Sequence, residues 1–202
     1  GQTPHTRFAV NLEIWWRGLP VLQRLEKVAE FGYPAIEFWP YENKDIPALA
    51  QACQRLNLEV AQFTAWGFTP HLNDPKHHDA FVKKVKEACA VAHQLNCKRM
   101  CVVGGNVTKG LTKEQMHQNI AEGLKRAAEA VEKEQVMLIL EPMNGRKDHP
   151  GHSLYGSEAG MKITRQVNSP FVKVLFDLYH NQMAEGDLCG HLREGFDQLG
   201  YV

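Results

Sequence analysis

Two apolar segments of the chain each lead directly into an acidic side chain. The segment 136–140 (VMLIL) is followed by Glu141, and the segment 172–176 (VKVLF) is followed by Asp177, with His180 three residues later. A charged carboxylate beside an apolar segment is costly to bury unless it is paired or bound to a metal. The pattern favours a metal or acid–base site, with Glu141 as ligand and general base and Asp177 as ligand. His180 could bond a substrate oxygen or accept a proton, and structural carboxylates are the alternative.

Other candidate substrate contacts follow the ends of predicted strands. The loop after Glu141 (NGRKDHPGH) offers Asn144, Arg146 and Lys147 for an anionic group, since arginine binds a carboxylate through two parallel hydrogen bonds. Asn11 ends the first predicted strand, and Trp66 follows the end of the third. Trp66 is one of four tryptophans placed after strand ends, which favours a lined pocket. The alternatives are that the loop after Glu141 is only a solvated charged loop, and that the tryptophans are scattered in the core.

The elements that must position these residues alternate between strand and helix along the whole chain. Apolar runs bounded by breakers predict buried strands, and apolar residues at three- and four-residue spacing predict helices. The predicted strands are 8–11, 35–39, 58–64, 98–103, 136–140 and 172–176, and the predicted helices are 20–31, 46–56, 74–95, 112–133, 157–167 and 190–198.

Six βα units in series require parallel strands and predict an α/β fold of the TIM (β/α) barrel type. In such a barrel the carboxyl ends of the strands share one face, which would bring Glu141 and Asp177 together. The chain ends in what resembles the start of a seventh strand, so we expect an incomplete barrel, truncated at its C-terminus. The residues 1–202 contain no Gly- or Ser-rich linker, which favours one domain. An open doubly wound sheet is the structural alternative.

Composition narrows the function classes. The 202 residues carry 23 basic and 23 acidic side chains, for a formal net charge of zero, which argues against nucleic acid or anionic membrane as partners. Apolar stretches fall short of the ~20 residues that span a bilayer. The five cysteines form no CxxC pair and are expected to be reduced and buried. We expect a small-molecule substrate and a cytoplasmic location, with export after signal cleavage as the alternative and a homo-oligomer left open.

Several segments together resemble a known family. FAVNLEIWW, GYPAIEFWPYE, LEPMNGRKDHPG and VLFDLYHNQ resemble the hydroxypyruvate isomerase family of the xylose-isomerase-like TIM barrels. The LEP-x-N and FD-x-YH segments are the most specific, and the resemblance runs in order over almost the whole chain.

The resemblance implies an isomerase of carbohydrate metabolism that uses a divalent metal, most simply Mg²⁺ or Mn²⁺. It implies Glu141 and Asp177 as the first two metal ligands, Glu141 as one of two catalytic glutamates, and His180 as a substrate contact. The second glutamate and two further ligands would lie beyond Val202. The expected reaction converts hydroxypyruvate to tartronate semialdehyde through an enediolate. The assignment of Arg146 to the substrate carboxylate is our own addition.

Three other functions remain open at this point. One is a sugar epimerase of the same barrel group, and another is a non-catalytic barrel fragment. The third is a phosphodiesterase similar to endonuclease IV, whose zinc ions need many histidine ligands at strand ends. The ends of strands two to four offer Trp39, Trp66 and Gly104 instead, which weighs against this third function.

Overall fold

Seven parallel strands form one sheet whose spatial order is the chain order, in a computed structural model that describes residues 4–202. Each strand pairs in parallel with the next one along the chain. The strands are β1 (Ala9–Asn11), β2 (Ala35–Pro40), β3 (Glu59–Trp66), β4 (Arg99–Val103), β5 (Met137–Glu141), β6 (Val172–Leu175) and β7 (Leu199–Tyr201).

Seven helices connect these strands. Single helices follow each of the first five strands, and two short helices lie between β6 and β7. They are α1 (Val21–Glu30), α2 (Ile46–Leu56), α3 (His78–Gln94), α4 (Lys113–Glu134), α5 (Ser157–Val167), α6 (Leu178–Ala184) and α7 (Leu188–Glu194). None of the helices within 4–202 is both long and apolar enough to cross a membrane.

The sheet curls on itself as a TIM barrel does. The Tyr201 hydroxyl of β7 donates a 2.8 Å hydrogen bond to Glu37 of β2, five strands away. A doubly wound sheet would reverse its strand order at a switch point, whereas this order runs without reversal from β1 to β7. The predicted incomplete barrel is therefore confirmed, and the doubly wound alternative is wrong.

Local signals in the sequence fix the helix ends. Asp45 caps α2 by accepting a 3.0 Å bond from the Ala48 N–H. Thr112 and Gln115 form a capping box at the start of α4, with bonds of 3.1 and 2.8 Å in the two directions. These contacts satisfy backbone donors that a helix cannot pair internally, so both helices begin where the sequence predicts.

Two apolar layers lie on opposite sides of the sheet. The larger layer packs the outer face against the helices, including Leu25 of α1 and Phe81 of α3, both fully buried. A smaller cluster fills the inside of the curl and includes Cys101, Val103, Ile139 and Leu175. Because side chains alternate along a strand, Glu141 lies on the same inner side as Ile139.

The segment after Asp177 contains a helix that the sequence analysis does not predict, between the predicted strand 172–176 and the predicted helix 190–198. Helix α6 begins at Leu178, and its cap is Asp177 itself, which accepts a 2.7 Å bond from the His180 N–H. The helix spans seven residues, too few to show a helical period in the sequence. The weak helix predicted at 190–198 is found as α7, which begins and ends earlier.

Candidate functional site

The three residues that carry the predicted chemistry meet at the carboxyl ends of β5 and β6. Glu141, Asp177 and His180 each offer one donor atom, and these atoms all lie within 4.8 Å of one another. Glu141 is the last residue of β5, Asp177 follows β6, and His180 lies in the first turn of α6. The adjacency of β5 and β6 in the sheet therefore assembles the group that the sequence predicts.

The carboxylate of Glu141 is held in an environment that disfavours its charge. Burial raises its pKa to about 8, and the charges of Asp177 and Glu37 add to the increase. The Cys101 thiol opposes the increase by donating a 3.4 Å hydrogen bond to Glu141 Oε2. Glu141 is therefore a stronger base than an exposed glutamate, and its proton can be gained and lost near neutral pH.

Asp177 belongs to the acidic group with Glu141 and His180, and it also caps helix α6. Its Oδ1 accepts from the His180 N–H, and its backbone carbonyl accepts a 2.8 Å bond from the Asn181 side chain. These contacts tie the start of α6 to the end of β6 and fix where His180 stands. The second oxygen, Oδ2, remains available for a ligand.

A buried asparagine holds the ring of His180. The Asn144 Nδ2 atom lies 2.7 Å from His180 Nδ1 and also donates to Asp148 Oδ2 at 3.0 Å. The sequence indicated Asn144 as one of three residues of the loop after Glu141 that could bind an anionic substrate group, and not as a partner of His180. Neither its complete burial nor its contact with His180 could be read from that loop alone, because the partner lies 36 residues away.

Aromatic and imidazole rings flank His180. The His149 ring lies 5.3 Å from the His180 ring and stacks on Phe68 at 4.9 Å with an interplanar angle of 27°. His152 packs edge-on against Phe68 from another direction. These rings come from the loops after β3 and β5. Nothing in the sequence connects Phe68 with the site, since single aromatic residues in loops carry no spacing signal.

The remaining predicted substrate contacts lie in three different surroundings. Asn11 donates a 2.9 Å bond to Glu37 inside the curl of the sheet. Arg146 is exposed on the turn at 145–148, close in sequence to Asn144. Trp66 is buried and packs edge-on against Phe81 of α3, 5.4 Å between ring centroids, which places it on the helix side of the sheet. The structure does not bring these three residues into the acidic group, and their contact with substrate stays a prediction.

The four tryptophans do not form one pocket wall. Trp66 is buried beneath α3, whereas Trp15 and Trp39 are each about half exposed. Trp16 packs against Phe31, at the end of α1. The expectation of a shared wall is wrong because the residues after successive strands point into different layers of the fold.

The donors present suit a hard divalent cation. Two carboxylates and one imidazole make an oxygen-rich set, which favours Mg²⁺ or Mn²⁺ over softer metals. A cation beside Glu141 would also offset the repulsion that raises the pKa of this carboxyl. Glu141 and Asp177 therefore fit the metal that the resemblance implies.

Comparison with known proteins shows which family the chain belongs to. The model of the family described as xylose isomerase-like TIM barrel matches residues 25–202. The hydroxypyruvate isomerase of Escherichia coli K12 is 30% identical over 204 residues, covering 97% of this chain and 78% of that protein. A 2-oxo-tetronate isomerase of Cupriavidus necator is 28% identical, covering 97% of this chain and 77% of its own length.

Solved structures show the same fold. A protein titled AP endonuclease, family 2, from Brucella melitensis has a TM-score of 0.86 and 26% identity, covering 93% of this chain and 74% of that one. A D-psicose 3-epimerase has a TM-score of 0.81 at 16% identity, covering 97% and 72%, which shows the fold alone. From the family match and the relatives in sequence, the chain belongs to the xylose isomerase-like TIM barrel family, as an enzyme of its isomerase group.

Proposed function

We propose that this enzyme is a divalent-metal-dependent isomerase that interconverts the ketone and aldehyde forms of a small hydroxy keto acid. Hydroxypyruvate is the proposed substrate. The observation that carries the proposal is the buried Glu141 carboxylate, grouped within 4.8 Å with donors from Asp177 and His180. The relative named hydroxypyruvate isomerase, at 30% identity, supports the choice of substrate.

The reaction needs a base that can also hold a proton. In hydroxypyruvate, Glu141 removes a proton from C3, the electron pair of the broken C–H bond forms the C2–C3 double bond of the enediolate, and the π pair of the C2 carbonyl moves onto its oxygen. Return of a proton to C2 re-forms a carbonyl at C3, whose hydroxyl proton passes to the C2 oxygen. The product is tartronate semialdehyde, so the substrate is neither oxidised nor reduced overall. Without the cation the pKa of Glu141 is raised to about 8, which makes it a stronger base than an ordinary glutamate, and a bound cation would oppose this increase.

Other residues bind and orient the substrate. Glu141 and Asp177 would hold the divalent cation, which when bound stabilises negative charge on the two adjacent substrate oxygens. His180 contacts one of these oxygens. Arg146, exposed on the turn after Asn144, is proposed to bind the substrate carboxylate, with Asn11 and Trp66 as further contacts. In an Arg146→Ala variant we expect a higher KM, and an unchanged KM would contradict this assignment.

A related isomerisation uses the same proton abstraction. The relative named 2-oxo-tetronate isomerase, at 28% identity, points to a larger hydroxy keto acid as a second candidate substrate.

A phosphodiesterase with several zinc ions is disfavoured, because the metal-donor group found within 4–202 contains a single histidine. The free cysteines, four of them buried, support a reducing compartment such as the cytoplasm.

The test is turnover of hydroxypyruvate and 2-oxo-tetronate by the purified chain with Mn²⁺ or Mg²⁺, measured beside two variants. Glu141→Gln keeps the shape of the side chain and removes the base, so we expect turnover to fall by at least ~10³-fold. Glu87→Gln makes the same change at an exposed position of α3 and should leave turnover unchanged. Folded, metal-loaded protein that neither isomerises these substrates nor exchanges their C3 protons with D₂O would refute the proposal.

A further inference from the structure

Asn144 is a fully buried residue whose side-chain polar atoms all have partners. Its Oδ1 accepts from two backbone N–H groups, those of Lys147 at 3.1 Å and Asp148 at 3.4 Å. Its Nδ2 faces Asp148 Oδ2 at 3.0 Å and His180 Nδ1 at 2.7 Å. A side-chain amide has one acceptor oxygen and two N–H donors, and these four contacts use all of them.

The surrounding groups allow only one orientation of this amide. Rotating it by 180° would bring Nδ2 against the N–H groups of Lys147 and Asp148, which are donors. It would also bring Oδ1 against the carboxylate of Asp148, which is an acceptor. Each of these pairings is repulsive, and inside a protein an unpaired buried donor costs on the order of 1–3 kcal/mol. Nδ2 is therefore the atom that faces His180.

The N–H donor opposite His180 Nδ1 determines which ring nitrogen of the imidazole carries the proton. Nδ1 must accept, so it carries a lone pair and no proton. In the neutral ring the single proton is then on Nε2. Because Asn144 occupies Nδ1, Nε2 is the ring nitrogen left for a ligand, and it presents a donor rather than a lone pair.

We propose that Asn144 is a positioning residue that holds His180 in the Nε2–H tautomer, so that His180 donates a hydrogen bond to a substrate oxygen and does not bind the metal. The catalytic part of this inference rests on the proposed isomerase function, and the tautomer part does not. A donor aimed at the oxygen on which charge develops stabilises the enediolate. A metal, by contrast, requires an unprotonated nitrogen. The inference thus separates the grouped donors into two ligands, Glu141 and Asp177, and one hydrogen-bond donor.

Asp148 anchors this arrangement from the solvent side. Its Oδ2 accepts from Asn144 and, at 2.8 Å, from the Tyr179 hydroxyl. These hydrogen bonds keep the pKa of the Asp148 carboxyl below its ordinary value. The Asp148 carboxylate therefore links the turn at 145–148 to α6. The amide of Asn144 lies between that turn and His180 and is hydrogen-bonded to both.

The first experiment reads the tautomer directly, in metal-free protein and without any turnover. Long-range ¹H–¹⁵N correlation spectra distinguish Nε2–H from Nδ1–H histidine, and His180→Gln identifies the signal. At a pH where the same spectra show a neutral ring, we expect Nε2–H in the wild type and in Tyr179→Phe, which leaves the Asn144 contact intact. In Asn144→Asp a carboxylate faces Nδ1, so we expect the proton to move to Nδ1.

The second experiment follows catalysis and metal binding in the same variants. Asn144→Asp is expected to lower kcat by about 10²-fold, the typical loss of one such donor, with a smaller change in KM. His180→Gln, whose amide N–H can take the place of Nε2–H, should retain more activity than His180→Ala. Mn²⁺ affinity should stay within about threefold of wild type in His180→Ala, which a lost metal ligand would not allow.

The outcomes separate this inference from the proposed function. An Nδ1–H signal for wild-type His180, or an unchanged Nε2–H signal in a folded Asn144→Asp protein, overturns the inference even if the enzyme is an active isomerase. An Nε2–H signal in an inactive protein overturns the proposed function and leaves the tautomer assignment standing. If Asn144→Asp does not fold because two carboxylates meet, adding Asp148→Asn places an amide donor opposite the introduced carboxylate, and the double variant permits the same measurement.

Discussion

Replacing Glu141 by Gln should make the metal-free protein more stable, and by an amount that grows with pH. The pKa of this carboxyl is raised from its ordinary 4.5 to about 8. Below about pH 4.5 the carboxyl is protonated in both the folded and the unfolded chain, so it does not lower the free energy of unfolding. Between about pH 4.5 and 8 the unfolded chain releases the proton while the folded chain keeps it, so the free energy of unfolding falls.

The size of this effect follows from the pKa values. A tenfold change in a protonation equilibrium is worth about 1.4 kcal/mol, so the full change from 4.5 to about 8 corresponds to at most about 5 kcal/mol. Between about pH 5 and pH 8 the linkage relation gives about 3.5 kcal/mol of lost stability. Partial solvent access to the residue reduces this, and we expect roughly 2–3 kcal/mol.

The assay is urea denaturation of both proteins in excess EDTA at several pH values between about 5 and 8. The difference in stability between the two proteins cancels the contributions of titrating groups that do not interact with Glu141. Glu87→Gln on α3 serves as the matched control, because its side chain is exposed, and its curve should run parallel to that of the wild type. Parallel curves for wild type and Glu141→Gln would refute the claim that burial and the nearby charges govern the ionisation of Glu141.

Three further predictions test the metal site and the helix ends. Mn²⁺ at about 100 times its dissociation constant should stabilise the wild type by about 2.7 kcal/mol. Asp177→Asn, which can still cap α6, should lose most of that gain in thermal denaturation; an equal gain would exclude Asp177 as a ligand. Gln135→Gly at the left-handed end of α4, where φ is 56°, should stabilise the protein by about 0.5–1 kcal/mol in urea denaturation. Thr112→Ala should cost about 1 kcal/mol in the same assay, since it removes the cap of α4, and no loss would contradict the capping box.

Much of the fold was predictable because its signals are local. The bounds of α2 and α5 agree with the prediction, and α4 begins one residue after its predicted start, where Thr112 caps it. The parallel barrel order follows from the alternation of strand and helix. Strand ends shifted by one or two residues, and β5 extends to include Glu141, because pairing with a neighbouring strand, not the sequence itself, decides where a strand stops.

The chemistry-bearing acids were predictable, but their surroundings were not. Glu141 and Asp177 follow apolar runs, which is a signal within the chain. The thiol of Cys101 bonds Glu141 from β4, 40 residues away, and only the register of β4 against β5 brings the two together. Trp66 shows the opposite case, in which a residue at a strand end faces the helix layer, because the register between β3 and β4 shifts between Thr64 and Trp66.

The two most specific segments of the sequence form one physical unit. Each supplies an acid at the end of a strand and a second polar residue three positions later: Glu141 with Asn144, and Asp177 with His180. Asp177 fixes the backbone of His180 by capping α6, and Asn144 fixes its ring through Nδ1. The two later residues thus bond each other while the two acids lie side by side. Both pairs follow the ends of adjacent strands. A change of one residue in the spacing within either pair would therefore break the Asn144–His180 bond, even if both acids stayed in place. The three-residue spacing matters as much as the residue types.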